Sequence, residues 1–378
     1  MKTTVCLLRC PDYGEVKEVL IRAFTLLDVF SLFKKKKVLL KVNLMKGASP
    51  ERALNTHPEF IRAMIQIVHS QGGKVIVGDS SGLLGFTKPA FQASGIAKVT
   101  EEEGAELANF DAGPFIRHTV HGRILKSIWV PKKVFEAEVL ITLPKLKTHT
   151  LTKLTGAVKN QMGLLPGGTK PAIHQIAPKL NDLCRALIEI NLAIKFDLAV
   201  MDGILALEGG GSEKGRPKKA EVVLVSRDLV ALDSVASKIM GMEPSHVPTN
   251  SIGKESGLGE SNLNEIEIRG DPLSECINPF LLPGKELKRI PIVARKVYQL
   301  REKVIKPVVV KENCTLCGRC KELCPVDAIE MNPLPVLKEG CINCFCCYEN
   351  CPDGAIRLSS PWYLRPLIRK RMAGLSLE

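Results

Sequence analysis

Nine of the 13 cysteines in this chain fall between residues 314 and 351, eight of them in two matching runs, Cys314-x2-Cys317-x2-Cys320-x3-Cys324-Pro325 and Cys341-x2-Cys344-x2-Cys347-x3-Cys351-Pro352. Three thiolates spaced three residues apart can wrap three corners of one cubane, while the fourth, followed by proline, is carried to a second centre. The spacing therefore predicts two [4Fe-4S] clusters with crossed ligation. One takes Cys314, Cys317, Cys320 and Cys351, and the other takes Cys341, Cys344, Cys347 and Cys324. A structural zinc site wants two separated pairs of ligands, often with histidine, and no histidine lies beyond residue 246. Disulfides need an oxidising compartment. The opening MKTTVCLLRC has neither the basic nor the apolar region of a secretory signal, so reduced thiols and a cytoplasmic setting are expected.

The runs align beyond the cysteines, CPVDAIEM against CPDGAIRL, an internal duplication of about 27 residues. Residues 308 to about 358 resemble the bacterial two-cluster ferredoxins, and that resemblance implies low-potential one-electron transfer in a small α+β domain. Cys346, beside Cys347, reads as a small hydrophobe outside the ligand set. Cys6, Cys10, Cys184 and Cys276 are scattered and read as reduced and mostly buried.

The preceding segment alternates apolar strands with amphipathic helices. Residues 5–8, 38–42, 74–77, 139–143, 198–201 and 222–225 read as strands, several apolar throughout and so buried on both faces. Thr56 and Glu59 form a capping box for a helix through Ser70, stopped by Gly72 and Gly73. Helical spacing recurs over 179–193 and 229–240. This βα alternation predicts an α/β domain with a mainly parallel sheet over residues 1–275. A basic linker (276–307), the cluster domain (308–358) and a basic amphipathic tail (359–378) follow. The tail, interrupted by Pro366, is expected to pack on the protein's own domains or fray rather than lie on a membrane.

A net charge of +13 is concentrated around residues 34–37, 145–170, 285–311 and 365–371. Nucleic-acid binding is not expected, because aromatic residues are only 5% and none interleave with a basic segment. No run of eighteen apolar residues is present, so no segment is expected to span a membrane. The basic balance points to a redox partner protein or an anionic small molecule.

The densest polar segment is residues 141–167, followed by His174. A strand ending at Leu143 is read as entering a turn with Lys145, Lys147 and His149, and a helix then carries Lys153, Lys159 and Asn160. Ligands gather at the carboxyl ends of parallel strands, and cations there favour an anion. PKLKTH, GAVKNQMGLLPG, DGILALEGGG and SRDLVALDSVASKIMG resemble the proteins carrying domain of unknown function 362, over roughly residues 38–270. That resemblance implies a shared α/β fold, a small-molecule or cofactor site and, in many members, a ferredoxin segment. The matching positions are Lys145, Lys147, His149, Lys159, Asn160, Gly163, Asp202, Gly203, Glu208, Gly209, Gly211, Asp228 and Asp233.

Lys145, Lys147, Lys159, Asn160, Glu208, Gly209 and Gly211 are therefore the candidate substrate-binding residues. His149, His174 and Lys145 are the candidate catalytic ones, since an imidazole near its ordinary pKa donates a proton close to neutrality. The glycine run 209–211 either approaches a phosphate or makes a turn. Asp79 is read as capping a turn more readily than binding a ligand, and Asp228 as a helix N-cap. No nucleophile elbow occurs. Two functions fit: an iron–sulfur oxidoreductase of anaerobic character acting on an anionic compound in the α/β domain, or a ferredoxin-type carrier whose α/β domain is a docking module.

Overall fold

The computed structural model describes residues 2–82, 87–167, 169–210, 215–283, 306–324, 326–341 and 345–359. Gly211, Cys344, most of the linker and nearly all of the tail, with Trp362, lie outside them.

Twelve strands build the first domain: β1 (Thr3–Arg9), β2 (Lys37–Lys41), β3 (Lys74–Asp79), β4 (Glu106–Asn109), β5 (Phe115–Thr119), β6 (Ser127–Pro131), β7 (Val139–Thr142), β8 (Lys145–His149), β9 (Lys153–Thr155), β10 (Leu198–Gly210), β11 (Gly215–Ser226) and β12 (Ile266–Gly270). Ten of them form one sheet in the order β12-β1-β11-β10-β7-β2-β3-β4, with β8 and β9 branching from β10. Along that path only β11 runs against the rest, so the sheet is mainly parallel.

Neighbouring residues of a strand point to opposite faces. Cys6 and Leu8 enter one core and Val5 and Leu7 the other, and Val38 and Leu40 likewise part from Leu39. Apolar side chains on both faces require cover on both, and the helices supply it. Residues 16–27 and 58–70 pack on one side, 180–193 and 229–239 on the other. The domain is an α/β layered structure with the carboxyl ends of β2, β3, β4 and β7 along one rim.

The helix over 58–70 begins one residue later than the capping-box reading. Pro58 occupies its first turn, and His57 is the cap, its Nδ1 accepting from Glu59 N at 3.2 Å. Thr56 is used elsewhere, donating to Leu143 O at 2.7 Å. Asp228 caps the helix over 229–239, accepting from Ala231 N at 2.9 Å. The polypeptide stays on this domain past residue 275: Phe280 is buried in its core, and Phe280 N donates to Met240 O at 3.0 Å.

The cysteine-rich segment adds β13 (Lys306–Val309), β14 (Ile329–Asn332), β15 (Leu334–Leu337) and β16 (Ile356–Ser359), with one-turn helices at Arg319–Glu322 and Cys346–Glu349. β13 pairs with β16 and β14 with β15, both antiparallel. The duplication is visible in the backbone. Gly318 and Phe345 share positive φ before the two helices, as do Asp327 and Gly354 after the two prolines. Ile329 and Ile356 meet in the small core.

Candidate functional site

Residues 145–149 form β8 rather than a turn, because the alternation in KLKTH is that of a strand. β8 lies beside β10, with Lys145 opposite Asp202 and Lys147 opposite Leu207. A hairpin leads to β9, and a one-turn helix follows at Ala157–Asn160. Asp233 holds that helix from behind, accepting from Ala157 N at 2.6 Å and Val158 N at 3.0 Å. Gly156 leaves no room for a Cβ beside this carboxylate.

Lys145 is fully buried, its Nζ 2.6 Å from Asp202 Oδ2 and 2.9 Å from Tyr13 Oη. Tyr13 donates to Asp202 Oδ1 at 3.0 Å and stacks on His57 with ring centroids 3.6 Å apart. Where the sequence offered Lys145 as a ligand or proton-transfer group, the structure places it in a solvent-sealed ion pair with Asp202. Lys147 is also buried and donates to Asn43 Oδ1 at 2.5 Å and Leu54 O at 2.8 Å. Burial first, then Lys159 and Lys145, holds its pKa well below the ordinary lysine value.

Asn160 is a hub at the carboxyl rim. Its Oδ1 accepts from Lys41 Nζ at 3.2 Å and Asn43 Nδ2 at 3.0 Å, and its Nδ2 donates to Thr142 Oγ1 at 2.9 Å. Lys41, at the end of β2, pairs with Asp79 at the end of β3 at 2.8 Å, both buried. Asp79 also accepts from Ser80 N and Leu44 N, so it both caps its turn and carries an ion pair. Gly163 packs directly on that pair, with no space for a Cβ.

A second cation is held nearby. Lys170 donates to Ser80 O, Ser80 Oγ and Ser81 O, each at 2.7 Å. Asp111 accepts from the same Ser80 hydroxyl at 2.7 Å, from Thr87 Oγ1 at 2.5 Å and from Gly167 N at 2.7 Å. Burial, against the pull of Asp111 and Asp79, pushes the Lys170 pKa down to about 8.

Lys159 differs from these lysines. It is partly exposed, and among the described residues its ammonium has no ion-pair or hydrogen-bond partner. Burial, then Lys170 and Lys41, pushes its pKa down to about 8, and no carboxylate acts on it. The buried Gln161 Oε1 and Gln175 Nε2 also lack partners among the described residues. His149 Nδ1 accepts from Leu151 N at 3.1 Å and Thr152 N at 3.2 Å, so the neutral ring carries its proton on Nε2. Burial, then Lys159 and Lys147, holds its pKa well below 6.5, and burial, then Lys159, pushes that of His174 down to about 4. Both shifts run away from the ordinary imidazole value on which the sequence expectation rests, and a bound anion would oppose the cationic part of the cause.

Glu208 and Gly209 are committed to the polypeptide. Glu208 Oε2 accepts from Leu281 N at 3.0 Å, and Gly209 N donates to Leu281 O at 2.7 Å. They pair within the β10–β11 hairpin rather than face a ligand. Sequence reasoning passed over Lys41, Asn43, Asp111 and Lys170, each of which reads as an ordinary polar residue. Lys41, Asn43 and Asp111 share one signal, position at or just beyond a strand end, whereas Lys170 lies in the helix over 169–176.

In the small domain Cys314, Cys317, Cys320 and Cys351 line one cavity. Cys324 Sγ accepts from Ala328 N and Cys351 Sγ from Ala355 N, each at 3.1 Å, the same contact in both repeats. Four thiols around one cavity, with backbone donors on sulfur, fit a [4Fe-4S] cluster, which when bound supplies one-electron transfer. Cys346 sits where the first repeat has Arg319 and is buried. The small domain meets the large one where Asn350 Nδ2 donates to Asp111 O at 3.4 Å and Leu323 approaches Gly113.

An α/β domain with a polar rim of buried lysines, followed by a cysteine-rich ferredoxin-like domain, defines an iron–sulfur electron-transfer class of protein. The chain belongs to the family described as Domain of unknown function (DUF362), whose model matches residues 38–238, and it carries a 4Fe-4S binding domain at residues 307–330. It is 33% identical over 248 residues to the thylakoid-associated protein sll1697 of Synechocystis sp., covering 65% of this chain and 76% of that protein. Among solved structures, the lactate racemase apoprotein from Thermoanaerobacterium thermosaccharolyticum aligns with a TM-score of 0.40 at 10% identity, over 79% of this chain and 90% of that one. A Thermotoga maritima protein aligns with a TM-score of 0.35 at 15% identity, over 56% and 55%. No helix of the described residues is long and apolar enough to cross a membrane.

Proposed function

We propose that the protein is an iron–sulfur oxidoreductase that passes electrons through two [4Fe-4S] clusters to or from an anionic small molecule held at the carboxyl rim of the α/β domain. The observation that carries this reading is Lys159, a cation without an ion-pair or hydrogen-bond partner among the described residues, beside lysines that are already committed. A partly desolvated cation without a counter-charge among the described residues favours an anion. Gln161 Oε1 and Gln175 Nε2, unpartnered among the described residues, are an acceptor and a donor on the two segments that follow Lys159. The contact from Asn350 through Asp111 and Ser80 to Lys170 supports electron delivery at that rim. The second cluster is supported by the repeated backbone contacts of Cys324 and Cys351.

The test is anaerobic. Holoprotein reduced with dithionite and desalted is mixed with the anionic small-molecule fraction of a cell extract, and cluster reoxidation is followed by absorbance. Reoxidation that Lys159→Ala slows at least tenfold at unchanged iron content supports the reading. The same rate in both proteins favours the carrier function, with the α/β domain as a docking module for a redox partner protein.

A further inference from the structure

A cleft of about 480 Å³ opens between the two domains, away from Lys159. Its walls carry Lys88 and Arg319, one from each domain, with Asn350, Leu107, Pro352 and the cluster-ligand candidate Cys351 between them. No carboxylate lines it, and neither Lys88 nor Arg319 has an acidic partner among the described residues. Leu107 is 39% exposed there, an apolar surface that gains by being covered. Arg319, Cys351 and Pro352 also line the cavity of Cys314, Cys317 and Cys320, so only one layer of residues separates the two spaces. The volume is that of an organic cofactor or substrate site rather than an ion site.

We infer that this interdomain cleft is a second binding site, for an organic anion with an apolar ring system and a separate charged group, seated against Cys351. Lys88 and Arg319 bring the charge one from each domain, and Leu107 and Pro352, likewise one from each, cover the ring. Two cations attract an anion without pairing one another, and the apolar lining discriminates against simple inorganic ions.

Equilibrium dialysis of anaerobic holoprotein against flavin mononucleotide tests this directly, with riboflavin and inorganic phosphate as the ring-only and charge-only probes. Flavin mononucleotide should be retained at least tenfold more tightly than either. Lys88→Glu, a change outside the cluster domain, should weaken retention at least tenfold with iron content unchanged, and Arg319→Ala should act in the same direction. Lys159→Ala should leave it unchanged, which separates this site from the rim site of the proposed oxidoreductase. Absence of retention by the wild type, equal retention of riboflavin, or indifference to Lys88→Glu would overturn the inference. Loss in Lys159→Ala alone would place the ligand at the rim and overturn it too.

Discussion

Lys145 and Asp202 show how a residue that reads as chemical in sequence can be structural in the fold. Both side chains are sealed from water, so removing one partner leaves the other charge buried and uncompensated. Lys145→Met should cost roughly 3–5 kcal/mol in denaturant unfolding. Lys159 is the opposite case. Its pKa of about 8 means that its charge is lost as pH rises through that value. Sulfate affinity measured by calorimetry should therefore fall between pH 7 and 9, and Lys159→Ala should weaken both the binding and that dependence. Asp233 is pushed up to about 7 by burial, opposed by its two backbone donors, so its contribution to stability is present at low pH and lost as pH rises through 7. His57 and His174, both pushed down to about 4 chiefly by burial, act oppositely: stability present above pH 6.5 is lost as pH falls toward 4. Asp233→Asn removes only the first effect, so its thermal midpoint should fall more steeply than the wild type's between pH 7 and 4.

At the scale of elements, the buried strands were legible because a two-faced sheet needs continuous apolar runs, as in Val38 to Leu40 and Leu198 to Met201. Asp228 was legible as a cap for an equally local reason. The residues 145–155 were not, because alternating lysines imitate a solvated turn unless the partner strand β10 is known. Thr56 likewise looked like a cap, but Leu143, remote in sequence, claims its hydroxyl. The rim lysines could be named from sequence but not sorted, since whether a lysine is spent or free depends on which aspartate the topology sets beside it. Gly163 belongs to this scale. An added methyl would press on Asp79 and Lys41, so Gly163→Ala should destabilise by roughly 1–3 kcal/mol, read as a lowered denaturant midpoint.

In the whole molecule, a duplicated cysteine domain meets the rim of a mainly parallel sheet through the Asn350–Asp111 contact. If ligation is crossed, Cys320→Ala and Cys324→Ala should damage different clusters in electron paramagnetic resonance, and the intact protein should carry about eight irons. Damage to the same cluster by both changes would remove the crossing. Under the proposed function, electrons from the clusters reach a compound bound at Lys159. Mass spectrometry of the anionic extract before and after anaerobic incubation with reduced, desalted holoprotein measures this most directly. One compound should gain as many electrons as the clusters lose, and Lys159→Ala with full iron should leave it unconverted. Oxidation of the clusters with no compound changed, or equal conversion by the variant, would contradict the account.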